Sequence, residues 1–173
     1  MDKISVLFVC WGNVYRSAVA EQFFRQLVKE AGLENRVEAR SRGIQGFCGV
    51  PPPKFPNLRY YGETWEAAKD ALEIFGVSLA DHVATTITPE DVRDASLVIA
   101  MDEKVYSEGE ENLLSAFPAE RSKIHSFSEF EGEGTGVSDP DGLEDRLEHR
   151  RTIARISAGV WEVFRRIAAD LDS

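Results

Sequence analysis

The residues in this sequence whose types and spacing could support chemistry are Cys10 and Arg16, which enclose the five residues Trp-Gly-Asn-Val-Tyr. Serine follows the arginine, and apolar residues at helical spacing begin directly after it. Backbone N–H groups in such a loop and at the start of a helix point at one spot, where an arginine can also bind two oxygens of an anion. We therefore predict a phosphate-binding loop whose other members are Trp11, Gly12, Asn13, Val14, Tyr15 and Ser17.

The cysteine of this loop is the predicted nucleophile, and the arginine is the predicted clamp on the phosphate. Positive potential from the loop amides and the helix dipole stabilises a thiolate, which is the form of cysteine that attacks phosphorus. A Cys-x5-Arg pattern alone is a weak signal, because a cysteine at a strand end is often a small buried residue. The apolar run before Cys10, the Gly-Asn turn and the helical pattern after Ser17 together favour catalysis.

The elements that must position this loop alternate along the chain. Apolar runs of strand length predict four strands, at 4–9, 36–41, 95–101 and 123–127. Apolar residues at helical spacing predict helices at 17–28, 63–75 and 143–171. Strands that alternate with helices indicate a parallel sheet covered on both faces, with functional residues at the carboxyl ends of the strands. We predict one α/β domain over 1–173 with three layers, a mostly four-stranded parallel sheet flanked by helices and the phosphate loop after strand 1.

A segment rich in proline and aromatic residues, at about 46–62, interrupts this order. It contains Pro51-Pro52-Pro53 and interleaved phenylalanine and tyrosine residues. A long ordered loop near the site and a solvated surface excursion are both consistent with this composition.

The charge balance limits the classes of partner. The formal net charge of -10 argues against nucleic acid and against an anionic membrane surface, because both would repel the chain at long range. The first apolar run is too short for a signal peptide or a membrane span, so we expect a cytoplasmic protein. Two cysteines, Cys10 and Cys48, provide neither a disulfide framework nor a four-thiolate metal site. The histidines His82, His125 and His149 show no ligand spacing, so we expect no metal and no cofactor.

The residues of the loop resemble the signature of the low-molecular-weight protein tyrosine phosphatases, Cys-x-Gly-Asn-x-x-Arg-Ser at the end of the first strand. The resemblance continues in the family's order along most of the chain, at 18–21, Ser41, 81–84, 87–88, 100–102 and Asp139-Pro140. It implies the family's α/β fold and a phosphatase that acts on phosphorylated proteins or small aryl phosphates, as a monomer or weak dimer.

The same resemblance implies further site residues. Asp139 is expected to protonate the departing alkoxide or phenoxide and later to activate water, which a carboxyl on a glycine-flanked loop can do. Asn13, Ser17, Ser41 and His82 are expected to form the hydrogen-bond network that holds the loop in shape, with the Ser17 hydroxyl stabilising the thiolate. Asn is also one of the few residues that accepts a left-handed backbone conformation.

Several positions depart from the family pattern. Tyr15 stands where many members have a second cysteine able to form a protective disulfide with the nucleophile. Cys48 is expected to be a buried or partly buried thiol. Asp141 and Gly142 stand where aromatic residues usually wall the substrate ring. We expect aromatic contacts to come instead from Trp11, Tyr15 or the region from Phe47 to Trp65.

Three other functions are less consistent with the sequence. A protein-arginine phosphatase of the same fold usually has threonine at the position of Val14, and it ranks second. A phosphate-binding module without turnover would have no chemical need for the thiolate or the acid. A thioredoxin-coupled arsenate reductase needs two further cysteines, and the chain has one.

Overall fold

The computed structural model describes residues 3–132, 136–137 and 145–173. Four strands form one sheet: β1 (Ile4–Cys10), β2 (Val37–Gly43), β3 (Leu97–Ala100) and β4 (Ile124–Ser126). Their order across the sheet is β2-β1-β3-β4, and every neighbouring pair is parallel. The predicted four-stranded parallel sheet is therefore confirmed, with Cys10 at the carboxyl end of a central strand.

The central strand is apolar along its length because both of its faces are covered. Successive side chains of a strand point to opposite faces. Val6 and Phe8 pack into the core beneath α1 (Arg16–Glu30), α2 (Gly62–Ile74) and α5 (Arg146–Leu171). Leu7 and Val9 pack into a second core on the opposite face of the sheet. This second core contains Val92 and Leu113, which lie on two short helices, so helices cover both faces of the sheet as predicted.

The long closing helix begins at Arg146, and Asp145 forms its N-cap by accepting hydrogen bonds from Leu147 N–H at 2.8 Å and Glu148 N–H at 3.4 Å. Residues 143 and 144, which were included in the predicted helix, lie outside the described residues. Its buried stripe consists of Ile153, Ile156, Val160, Val163, Phe164 and Ile167. On its exposed face, hydrogen bonds from Arg165 and Arg166 lower the pKa of Glu162 to about 2.

Two short helices were missed by the sequence analysis, α3 (Pro89–Asp94) and α4 (Leu113–Ala116). A helix of four to six residues does not repeat its apolar positions often enough to show a 3.6-residue period. The capping box of Thr88 and Asp91 is the local signal that marks the start of α3. Because α3 ends at Asp94, the third strand is shorter than predicted and begins only at Leu97.

The segment 46–62 is an ordered loop that packs against the domain. The Asn57 side-chain amide donates to the carbonyl oxygens of Leu79 at 2.7 Å and His82 at 2.8 Å. The expectation that Cys48 is buried or partly buried was wrong. Cys48 is exposed because the turn in which it lies, with a positive φ of 47° at this residue, directs its side chain to solvent.

Within the described ranges, no helix is both long enough and apolar enough to cross a lipid bilayer.

Candidate active site

The loop between β1 and α1 is held against the end of the neighbouring strand. Cys10 pairs with Gly43 of β2, and Asn13 adopts a left-handed conformation with a φ of 57°. A Cβ atom at Gly43 would lie 2.7 Å from the Gly12 carbonyl carbon and 2.8 Å from the Asn13 nitrogen. Glycine at position 43 therefore allows the loop backbone to approach the sheet closely enough to curl back over the Cys10 side chain.

The Cys10 sulfur lies at the centre of a set of hydrogen bonds. The Asn13 backbone N–H donates to it at 3.2 Å, and the Ser17 Oγ lies 3.0 Å away. Asn13 Nδ2 donates to Ser17 Oγ at 2.8 Å, and this Oγ lies 3.4 Å from the Arg42 carbonyl oxygen. A thiolate has no proton and can only accept, so the Ser17 hydroxyl donates to Cys10 when the sulfur is ionised. Two donors on one sulfur stabilise negative charge there.

A second group of contacts fixes Asn13 itself. His82 Nε2 is 2.6 Å from the Asn13 carbonyl oxygen and, because a carbonyl only accepts, this nitrogen carries the proton. The Thr85 N–H donates to Asn13 Oδ1 at 2.9 Å. The structure thus brings Asn13, Ser17 and His82 together. It places Ser41 elsewhere, since its hydroxyl donates to the Glu21 carboxylate at 2.5 Å.

Arg16 lies in the first turn of α1 and is 1% exposed. Two hydrogen-bond acceptors hold its guanidinium in place. Its Nη1 donates to Asp102 Oδ2 at 2.5 Å and to the Val137 carbonyl oxygen at 2.9 Å. The other carboxylate oxygen of Asp102 accepts from the Val105 N–H at 2.9 Å. Asp102 therefore sets the position and balances the charge of the buried guanidinium.

Asp102 has no role among the site residues predicted from the sequence. The signal that could have found it is its place two residues after β3, which neighbours β1 in a parallel sheet. Polar residues just beyond the carboxyl ends of adjacent parallel strands meet at the same edge.

We expect Asp102→Asn to lower the free energy of unfolding by about 3 kcal/mol, because removing one partner leaves a buried charge uncompensated. Asparagine keeps the oxygen that accepts from Val105, so the substitution isolates the charge. Urea denaturation measures the loss, and added inorganic phosphate should restore more stability to the variant than to the wild type. The matched control is Asp70→Asn, which removes a largely exposed ion pair with Arg146. An equal loss in both variants would contradict the role of Asp102.

A cavity of about 170 Å³ opens above the loop. Cys10 and Arg16 contribute to its lining, together with Trp11, Gly12, Val14 and Tyr15 of the same loop. The remaining described lining residues are Gln45, Leu58, Tyr61 and Thr64. The ordered-loop interpretation of the 46–62 segment is thus the one that the structure favours. Phe47 does not line the cavity, because its ring packs on Phe117 with centroids 5.4 Å apart.

Tyr15 combines two roles that the sequence did not separate. Its ring helps to line the cavity, but the residue is only 4% exposed. Its hydroxyl lies 2.9 Å from Nδ1 of the fully buried His149 on α5. The residue that replaces the family's second cysteine therefore links the phosphate loop to the closing helix.

Asp139, the expected general acid, lies outside the described residues, as do Asp141 and Gly142. Among the residues that are described, no group of three or more His, Cys, Asp or Glu side chains could hold a metal ion.

Fold and site together define an α/β protein with a cysteine and an arginine on one loop at the carboxyl edge of a parallel sheet. The chain belongs to the low molecular weight phosphotyrosine protein phosphatase family, whose model matches residues 5–173. The resemblance stated from the loop signature is thereby confirmed.

Individual relatives carry two kinds of name. The chain is 37% identical over 99 residues to low molecular weight protein-tyrosine-phosphatase YfkJ of Bacillus subtilis, a match that covers 57% of this chain and 56% of that protein. It thus spans about half the length of this relative. The chain is also 31% identical over 140 residues to a protein-arginine-phosphatase of Bacillus subtilis, covering 80% and 81%. The crystal structure of YfkJ matches with a TM-score of 0.73 and 29% identity over 98% of both chains.

Proposed function

We propose that this chain is a phosphatase that hydrolyses phosphate monoesters of the phosphotyrosine or aryl type through a cysteinyl-phosphate intermediate. The observation that carries the proposal is the meeting of Cys10 and Arg16 in one cavity, with two hydrogen-bond donors on the sulfur. Its natural partner is then a phosphorylated protein, and the cytoplasm is the proposed location.

The reaction proceeds in two displacements. In the first, the Cys10 thiolate forms a bond to phosphorus while the bond between phosphorus and the leaving oxygen breaks, and Asp139 gives its proton to that oxygen. In the second, a water oxygen bonds to phosphorus while the sulfur-phosphorus bond breaks, and Asp139 takes a proton from the water. Inorganic phosphate leaves and the thiolate is regenerated.

The loop stabilises the charge that spreads over the phosphoryl oxygens during each displacement. Arg16 is anchored by Asp102 and Val137 before substrate arrives, so its positive charge needs little rearrangement in the transition state. The loop amides and the start of α1 add donors that face the same oxygens. Ser17 also stabilises the sulfur when it leaves phosphorus in the second step, because its hydroxyl donates to Cys10.

The cavity lining favours an aromatic ester over phosphoarginine. Trp11, Val14, Leu58 and Tyr61 offer apolar and aromatic surface, and the lining residues described include no carboxylate to pair with a guanidinium. Hydrolysis of arginine phosphate is the second candidate, because a relative whose match covers 80% of this chain bears the name protein-arginine-phosphatase. A phosphate-binding module without turnover would not need the two donors on the Cys10 sulfur.

The test of the proposal is hydrolysis of an aryl phosphate in the presence of a metal chelator. Samples quenched during turnover should carry phosphate on the peptide that contains Cys10 and none on the peptide that contains Cys48. Phosphoarginine, assayed in parallel, should turn over more slowly. Phosphate release without a phosphorylated Cys10, or a requirement for added metal, would contradict the mechanism.

The role of Asp139 is tested with a series of leaving groups. Asp139→Asn should lower the rate for phenyl phosphate by roughly 10²-fold or more, the usual contribution of general acid catalysis. A nitrophenol leaving group needs less protonation, so its rate should fall less. The neighbouring Asp141→Asn is the matched control, and equal losses for both leaving groups in Asp139→Asn would count against the acid role.

A further inference from the structure

The distribution of charge on the 46–62 segment differs from that of the rest of the chain. Residues 43–62 contain Lys54 and Arg59 and no aspartate or glutamate, so all 30 acidic residues lie outside this stretch. In a protein with a net charge of -10, the segment that supplies one wall of the cavity is therefore locally basic.

Both cations lie over aromatic rings. Lys54 Nζ is 5.3 Å from the centroid of the Phe55 ring, and the Arg59 guanidinium carbon is 4.9 Å from that of Tyr60. Within the part of the chain that the structure describes, neither forms an ion pair with a carboxylate, whereas Arg25, Arg42, Lys69 and Arg155 do. A ring face orients a cation at an exposed position without neutralising its charge.

These residues are joined directly to the cavity wall. The Tyr61 hydroxyl donates to the Phe55 carbonyl oxygen and lies within hydrogen-bond distance of the Phe55 N–H, both at 3.1 Å. The Phe55 ring packs against Tyr61 with centroids 5.3 Å apart, and against Tyr60 at 6.2 Å. Tyr60 is 50% exposed. We call this surface, formed by Lys54, Phe55, Arg59, Tyr60 and Tyr61, the cationic ledge.

We propose that the cationic ledge binds acidic side chains that flank the phosphorylated residue of a protein substrate. The inference rests on the proposed phosphatase function and specifies its substrate class. Charge complementarity identifies the occupant: Lys54 and Arg59 attract an acidic flank, repel a basic one and offer a neutral flank no ion pair. The half-exposed Tyr60 ring adds apolar contact to an extended peptide leaving the cavity.

The experiment uses three phosphotyrosine peptides of equal length whose flanks are glutamate, glutamine or lysine. We expect kcat/KM of the wild type to be roughly threefold to tenfold higher for the glutamate peptide than for the glutamine peptide at low ionic strength, the range for two exposed ion pairs. Added salt should reduce the ratio because exposed charges are screened. The Lys54→Gln/Arg59→Gln chain should lose the preference. Its hydrolysis of a small aryl phosphate should change less than about twofold, because neither Lys54 nor Arg59 lines the cavity.

The matched control is Lys29→Gln/Arg121→Gln, which removes the same net charge from exposed positions. Both residues precede strands and so lie near the amino ends of the sheet, away from the cavity, and this variant should keep the preference. Equal rates for the three peptides in the wild type, or a preference that survives loss of Lys54 and Arg59, would overturn the proposal. Failure of the phosphatase function is recognised separately, as absence of aryl phosphate hydrolysis. In that event, equilibrium binding of the same peptides to the wild-type and ledge-variant chains decides whether the ledge selects acidic flanks.

Discussion

Cys10→Ser will lower kcat for aryl phosphate hydrolysis by roughly 10⁴-fold or more. A loss of this size is expected when the nucleophile is removed from a group of catalytic residues that act together. Serine is close to cysteine in size and can still receive the hydrogen bonds from Asn13 and Ser17. Its hydroxyl is not ionised near neutral pH, however, so the nucleophile is lost while the loop is retained. Inorganic phosphate should therefore still raise the melting temperature of the variant.

The control is built into the sequence, because Cys48 is the one other cysteine of the chain. It is exposed, does not line the cavity, and Cys48→Ser should leave kcat unchanged. Turnover by Cys10→Ser above about 1% of the wild-type rate would show that the sulfur is not the attacking atom. Loss of phosphate binding along with activity would indicate that serine had disrupted the loop.

The fold could be predicted because its signals are local and strong. The run from Ile4 to Val9 is apolar at every position but one, which indicates a strand buried on both faces, and the stripe on α5 repeats over several turns. The loop between β1 and α1 was predictable for the same reason, since its residues are consecutive, and phosphate binding by it stays a prediction. Short helices such as α3 escaped detection because six residues contain less than two turns.

Two supports of the site, Asp102 and His149, escaped detection because each is distant in sequence from the residue that it contacts. Asp102 lies 86 residues from Arg16, and His149 lies 134 residues from Tyr15. No spacing pattern in a single sequence connects such pairs, and only the order of strands in the sheet and the packing of α5 bring them together. The contribution of Leu58 and Tyr61 to the cavity depends in the same way on where the 46–62 segment packs.

Arg16→Lys tests whether the reaction requires the planar guanidinium held by Asp102 and Val137, rather than positive charge alone. Arginine offers five donors in a rigid plane, so it can contact Asp102 and Val137 through Nη1 and still present donors to two phosphoryl oxygens. Lysine is a point charge on a flexible stem and cannot make both sets of contacts. We expect kcat/KM for an aryl phosphate to fall roughly 10²-fold to 10³-fold, the effect of losing a preorganised oxyanion donor.

The fall in kcat/KM of Arg16→Lys should appear in kcat as well as in KM. The guanidinium aligns phosphorus with the Cys10 sulfur and stabilises charge that develops only in the transition state. Inhibition by inorganic phosphate should weaken less than kcat/KM falls, since lysine still attracts a ground-state anion. Arg25→Lys on the same helix is the control: Arg25 pairs with Glu21 at 2.6 Å and is largely exposed, so its kinetics should stay within about twofold of the wild type. A decrease of less than fivefold in Arg16→Lys would mean that charge alone suffices, and the buried Asp102 contact would then serve stability rather than catalysis.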